Sequence, residues 1–169
     1  MPKDKERCPC GDIFIPTYNE PLDVVKPTVY AALTVDWPKE KLNVYILDDG
    51  SRKEFKDFAC EVGAGYIERE EHKHAKAGNI NHAMGITKGD FIAIFDCDHV
   101  PVKTFLQKTM GWFLKDEKIA LVQTPHHFYS QDPFEKNLHL KENVPNENSL
   151  FHDFIQKGNA SWHETMYCG

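Results

Sequence analysis

Phe91-Ile92-Ala93-Ile94-Phe95-Asp96-Cys97-Asp98-His99 places five apolar residues directly before two carboxylates that stand one residue apart. An apolar run of this length, greasy on both faces, predicts a strand buried in the middle of a sheet. Asp96 and Asp98 then fall at its carboxyl end, where open α/β sheets bind their ligands. Alternation along an extended chain sends both side chains to one side. Two carboxylates held together with no basic residue between them repel unless they share a proton or a cation. Oxygen-only ligation of this kind suits Mg²⁺, with Mn²⁺ as the alternative, the remaining positions going to phosphate oxygens and water. Taken alone, an Asp-x-Asp is equally a polar exit from a strand.

Composition narrows the possibilities. The 169 residues suit one domain with a sizeable core, and 41% hydrophobic with 27% charged residues is ordinary for a water-exposed globular chain. A formal net charge of −6 gives no electrostatic reason to expect nucleic acid. An anionic ligand therefore needs local help from Lys, His, backbone amides or a metal. No uncharged apolar run approaches the roughly 18 residues of a membrane span, and no signal-peptide pattern is present. Cys8, Cys10, Cys60, Cys97 and Cys168 are odd in number and scattered, and they read as free thiols of a reducing compartment.

Outward from the Asp-x-Asp strand, the chain alternates strands and helices. Residues 1–11 read as a charged lead-in, and 12–169 as a single α/β domain. Residues 12–16 form a first strand ending at Pro16, followed by the Thr17-Tyr18-Asn19-Glu20-Pro21 loop and a helix over 24–33. Residues 42–47 are a second strand closed by Asp48-Asp49-Gly50. Ser51 is positioned to cap a helix reaching Val62, with Glu54 as reciprocal partner. A short third strand at 65–68, a basic loop at 72–76 and a helix over 77–86 precede the Asp-x-Asp strand. A helix over 104–114 and a fifth strand over 119–123 follow it. Residues 133–156 hold no single helix, because Pro145 interrupts them. This alternation predicts an α/β/α sandwich of Rossmann-like type with a mostly parallel sheet.

Three acid-bearing loops thus end three strands on one sheet edge: Glu20, Asp48-Asp49, and Asp96 with Asp98. His74, Lys76 and Asn79 form the complementary set, with Lys76 at a helix start able to attract a diphosphate. Tyr18 can stack on a base or fill half-buried core space. His126 and His127 lack metal-ligand spacing and are assigned supporting roles.

Five ordered segments carry a resemblance: Ile-Pro-Thr-Tyr-Asn-Glu-Pro (15–21), Leu-Asp-Asp-Gly (47–50), His-Ala-Lys-Ala-Gly-Asn-Ile-Asn (74–81), Phe-Asp-Cys-Asp-His-Val-Pro (95–101) and Gln-Thr-Pro-His-His-Phe (123–128). From about Asp12 to Gly169 the sequence resembles the family 2 glycosyltransferase core of bacterial cellulose synthase catalytic subunits. The resemblance implies a GT-A fold, UDP-glucose as donor, Mg²⁺ as cofactor and a growing β-1,4-glucan as acceptor. It further implies a parent protein on the cytoplasmic face of the bacterial inner membrane, with its own transmembrane region and a periplasmic synthase subunit as partners. By the same resemblance, Thr17, Tyr18 and Glu20 line the uridine pocket and Asp48 or Asp49 contacts uracil or ribose. Lys76 meets the diphosphate, while Asp96 and Asp98 hold the metal–UDP pair. Tyr167, Cys168 and Gly169 match the start of the family's Phe-x-Cys-Gly-Ser motif near the acceptor sugar. Lys157-Gly158-Asn159-Ala160 stands where Asp-Gly-Asn-Asp is usual.

The family's Thr-Glu-Asp motif, which carries the general base, and its Gln-x-x-Arg-Trp motif are expected beyond Gly169. The chain therefore reads as a truncated core, soluble by itself, that binds UDP with metal and does not polymerise. Two other readings compete. One is a non-catalytic nucleotide-sugar-binding fragment. The other is a haloacid-dehalogenase-like phosphatase, whose Asp-x-Asp normally sits on the first strand rather than after three strand–helix units.

Overall fold

The structure is a computed structural model, and it describes residues 8–124. The chain divides into two compact units, Met1–Ala120 and Leu121–Gly169. Of the second, only residues 121–124 are described, and they form neither helix nor strand.

Four strands and four helices alternate in the first unit: β1 (Gly11–Thr17), α1 (Leu22–Leu33), β2 (Leu42–Asp48), α2 (Lys53–Val62), β3 (Gly65–Glu68), α3 (Ala75–Ile86), β4 (Phe91–Ile94) and α4 (Phe105–Lys115). The strands form one parallel sheet in the order β3-β2-β1-β4. This confirms the α/β expectation and places all strand carboxyl ends on one edge. The order reverses at β1, which has β2 on one side and β4 on the other, so the crevice of an open α/β sheet falls between the loops that follow β1 and β4.

Period-two alternation sorts the side chains. Ile13, Ile15, Val44 and Ile46 join Val25, Val29, Ala32, Phe55, Phe58, Ala59, Leu106 and Met110 in one large core against α1, α2 and α4. Phe14 and Leu47 point the other way and meet Ile67 and Ala83 of α3, with Tyr45, Ile80 and Ile92 packed alongside. β1 is buried on both faces, with Ile13, Phe14 and Ile15 all at 0% exposure.

The structure departs from the sequence expectations at four places. Among the described residues the Asp-x-Asp strand lies at the edge of the sheet and not in its middle: β4 pairs with β1 alone, and Ile94 is 47% exposed. The strand buried on both sides is β1 instead. It also runs through Pro16 to Thr17 rather than stopping at the proline. Phe14 O accepts from Phe95 N and Thr17 O accepts from Asp49 N, so by alternation Pro16 faces β4's side. The β1–β4 ladder ends at Phe14↔Ile94, so the N–H that Pro16 lacks has no ladder bond to make. Residues 119–123 form no strand, because an apolar run becomes one only where a neighbour pairs with it. Ser51 is not the helix cap either. Its φ of 49° is left-handed, whereas a capping residue needs extended backbone, and α2 starts after Arg52.

Candidate nucleotide-sugar site

The loop after β1 folds around Glu20. Thr17 Oγ1 donates to Glu20 Oε2 at 2.9 Å, and the Tyr18 backbone N–H donates to the same oxygen at 2.8 Å. Partial burial pushes the Glu20 carboxyl up, but hydrogen bonds from the backbone of Tyr18 and its neighbours and from Thr17 outweigh it, leaving the group below its ordinary range. Tyr18, 56% exposed, stands at the sheet edge and not in the core.

The two acids after β2 part company. Asp48, at 0% exposure, accepts from the backbone N–H groups of Gly50 (2.9 Å) and Arg52 (2.7 Å), and from the Tyr66 hydroxyl (3.0 Å). It also pairs with Arg52 Nε at 3.0 Å and Nη2 at 2.8 Å. Burial, with Asp48 beside it, pushes the Tyr66 phenol up, so its proton stays on to donate. Arg52 continues to the neighbouring loop, where it donates to Glu20 O at 2.6 Å and Thr17 Oγ1 at 3.0 Å while stacking on Phe55. One guanidinium therefore locks the loops after β1 and β2 together. Asp49 turns away and takes a bidentate pair from Arg69, at 2.5 Å from Nε and 2.7 Å from Nη2. Both partners are under a tenth exposed, and the bond to Asp49, against burial, holds the Arg69 proton more tightly than usual. A shallow open depression lined by Ser51, Glu68, Arg69, Glu70 and His72 adjoins this pair.

α3 begins in a tight turn in which His74 and Ala75 have φ of 63° and 44°. Its N-terminus brings Lys76 to Asp96, and Lys76 Nζ ion-pairs with Asp96 Oδ1. His99 lies between the acids, with Nδ1 3.5 Å from Asp96 Oδ2 and Nε2 3.8 Å from Asp98 Oδ1. The residue between the acids, Cys97, points inward into the large core. Burial, with the negative Glu20 and Asp98 nearby, pushes its thiol up to about 11. Among the described residues no group of three or more His, Cys, Asp or Glu side chains is placed to hold a metal ion by itself. Two carboxylates short of a full cage suit a hard divalent cation that keeps waters and takes phosphate oxygens as its other ligands.

The structure thus brings Thr17, Tyr18, Glu20, Asp48, Asp49, Lys76, Asp96 and Asp98 to one sheet edge. Asn79, grouped with Lys76 on sequence grounds, is instead buried and donates to Leu47 O at 2.9 Å, tying α3 to β2. Tyr167, Cys168, Gly169, His126 and His127 lie outside the described residues. Sequence reasoning missed Arg52 and Arg69. The available signal was weak: one Arg directly before α2 and one directly after β3, on an edge crowded with acids.

The parallel sheet flanked by helices, with acids and a lysine at its carboxyl edge, has the architecture of the GT-A fold. Glucosyl-3-phosphoglycerate synthase from Mycobacterium tuberculosis, solved with Mn²⁺, UDP and glucosyl-3-phosphoglycerate, superposes with a TM-score of 0.54 at 21% identity, over 67% of this chain and 42% of that one. The chain belongs to glycosyl transferase family 2, which matches residues 12–169. It is 54% identical over all 169 residues to the cellulose synthase catalytic subunit (UDP-forming) of Xanthomonas axonopodis pv. citri (strain 306), covering 23% of that protein. It is also 54% identical over its whole length to cellulose synthase 2 of Novacetimonas hansenii, covering 11% of it. The chain therefore spans between about a tenth and a quarter of the length of these relatives. Family membership leaves no room for the phosphatase reading.

Proposed function

We propose that these residues form the donor half of an inverting, processive glycosyltransferase that moves glucose from UDP-glucose to a growing β-1,4-glucan. The observation that carries this reading is the convergence of Lys76, Asp96, Asp98 and His99 beside the Tyr18–Glu20 loop at the sheet's reversal point. Tyr18 stacks on uracil, Thr17 and Glu20 shape the pocket, and Asp49 backs it through its bidentate pair with Arg69. Asp48 acts behind them, since its oxygens are already occupied within the protein.

Asp96 and Asp98 hold Mg²⁺ or Mn²⁺ together with the donor diphosphate. When bound, the cation supplies Lewis-acid neutralisation of the charge that grows on the leaving group. Lys76 turns from Asp96 to the diphosphate and shares that role, helped by the positive end of α3. The acceptor hydroxyl attacks the anomeric carbon from the face opposite UDP. The anomeric C–O bond to phosphate breaks, UDP departs, and the hydroxyl proton passes to a carboxylate outside the described residues. Tyr167, Cys168 and Gly169, outside the described residues, are assigned to acceptor recognition.

We infer that the whole protein places this unit at the cytoplasmic face of a bacterial inner membrane, joined to a transmembrane region and a periplasmic subunit. No helix among the described residues is long and apolar enough to cross a membrane. By itself the chain binds UDP with metal and does not polymerise.

Titration calorimetry of UDP with Mg²⁺, with Mn²⁺ and with EDTA tests the reading. Binding is expected to require the cation and to be lost in Asp98→Ala. Metal-independent binding untouched by that substitution would sink the metal assignment.

A further inference from the structure

We propose that Arg69 is a positioning residue for the diphosphate: it holds the turn that aims Lys76. Lys76's role at a diphosphate is taken from the function proposed above; what Arg69 does is read from its bonds. Its guanidinium reaches both ends of the turn, donating from Nη1 to Lys73 O and from Nη2 to Ala75 O, each at 2.8 Å. Between those carbonyls His74 has a left-handed φ of 63°, and Ala75 follows at 44°. Consecutive non-glycine residues rarely hold this backbone unless their surroundings impose it. Here the imposing group is a fixed fork, clamped on its other side by Asp49 at 2.5 and 2.7 Å and 8% exposed as a residue.

Gly78 completes the arrangement. Its N–H donates to His74 O at 3.0 Å. A Cβ at that position would collide with Lys73 O and come within 2.6 Å of Arg69 Nη1. The turn, the arginine and the glycine are therefore packed as one body. Lys76, one residue past the strained pair, inherits its direction from them. Arg69 itself is too buried to meet a ligand freely, and its bonds to Asp49 and to two carbonyls occupy most of its donors.

Lysine at position 69 keeps the positive charge opposite Asp49 but loses the planar fork that spans two carbonyls. The test uses the whole 169-residue chain as wild type, Arg69→Lys, Gly78→Ala, Lys76→Ala and the Arg69→Lys/Lys76→Ala double variant. Calorimetry with uridine and with UDP, both in Mn²⁺, gives the affinity that the diphosphate adds. Amide exchange of residues 74–79 reports the turn directly. Arg69→Lys should cut the UDP-over-uridine ratio about tenfold, the worth of one charge-assisted hydrogen bond, and leave uridine affinity within about twofold. In the double variant the ratio should fall no further than in Lys76→Ala alone, because both changes remove the same contact. Exchange of residues 74–79 should accelerate in Arg69→Lys and in Gly78→Ala, with β1 and β2 unchanged.

Additive losses, or an unaltered turn, would overturn the assignment and leave Arg69 as a stabilising buried pair only. If wild-type protein shows no preference for UDP over uridine, the donor reading fails. The exchange data then still decide whether Arg69 holds the turn.

Discussion

Asp48→Asn changes one oxygen for an amide without changing shape, at a site that is wholly buried. Five donors converge on the carboxylate. Gly50 N, Arg52 Nε and Arg52 Nη2 are on Oδ1, and Arg52 N and the Tyr66 hydroxyl are on Oδ2. The new NH₂ settles at the Oδ2 position, where it opposes two donors rather than three. Tyr66 can rotate and accept from it, but the Arg52 backbone N–H is left facing a donor. An unpaired backbone donor costs about 1–3 kcal/mol, and breaking a buried ion pair about 3–5 kcal/mol. Arg52 keeps 21% of its side chain in solvent, which lowers the second figure, and the bonds to Oδ1 survive in weaker form. The sum comes to about 3 kcal/mol of lost stability. Urea unfolding followed by circular dichroism measures it as a shift in midpoint at constant slope. A loss below about 1 kcal/mol would refute Asp48 as the anchor of two loops. A loss of UDP affinity at unchanged stability would show instead that Asp48 contacts the ligand.

Three further outcomes follow from other parts of the structure. The Glu20 carboxyl is held below its ordinary value of 4.5, so its stabilising contribution is complete above that pH and is lost as pH falls through the lowered value. The stability gap between wild type and Glu20→Gln should therefore be constant from pH 6 to 8, two convenient points above about 4.5, and should close in acid. Cys97, buried and with its thiol pushed up to about 11, should resist iodoacetamide at mild alkaline pH, while exposed Cys10 and Cys60 react; peptide mass spectrometry reads this directly. Phe14→Ala removes the largest fully buried side chain from the thin core under α3 and should cost about 3–5 kcal/mol in the same urea assay.

Much of the fold could be read from the sequence because its strands are dense apolar runs ended by acids, and because the helices between them force parallel pairing. The acid-bearing edge followed from that alternation alone. What escaped is of a different kind. Arg52 acts on Thr17 and Glu20, more than thirty positions away, and Arg69 acts on Asp49 across a strand. A periodic pattern records which face a residue occupies, not how far a flexible side chain reaches. Ser51 had the composition of a helix cap, but the carboxylate of Asp48 took the Arg52 N–H first and turned Ser51 out of the extended backbone that capping needs. The middle position expected for the Asp-x-Asp strand is not seen among the described residues, for a related reason. Its five apolar residues signal burial without saying which strand supplies the second neighbour.

The sheet's two ladders end at different heights. β1 and β2 pair as far as Thr17↔Asp48, whereas β1 and β4 stop at Phe14↔Ile94. Three residues separate those ends, a step of about 10 Å at strand rise. Asp48 is the last rung of the taller ladder and cannot shift without breaking it. Asp96 and Asp98 stand past the end of the shorter one, on backbone free of strand pairing. The sheet edge is therefore a staircase with one acid mortared into the upper tread and two standing off the ladder on the lower, one of them held only by side-chain partners such as Lys76. A cation and its diphosphate can reorganise the lower pair without drawing on the stability held in the upper.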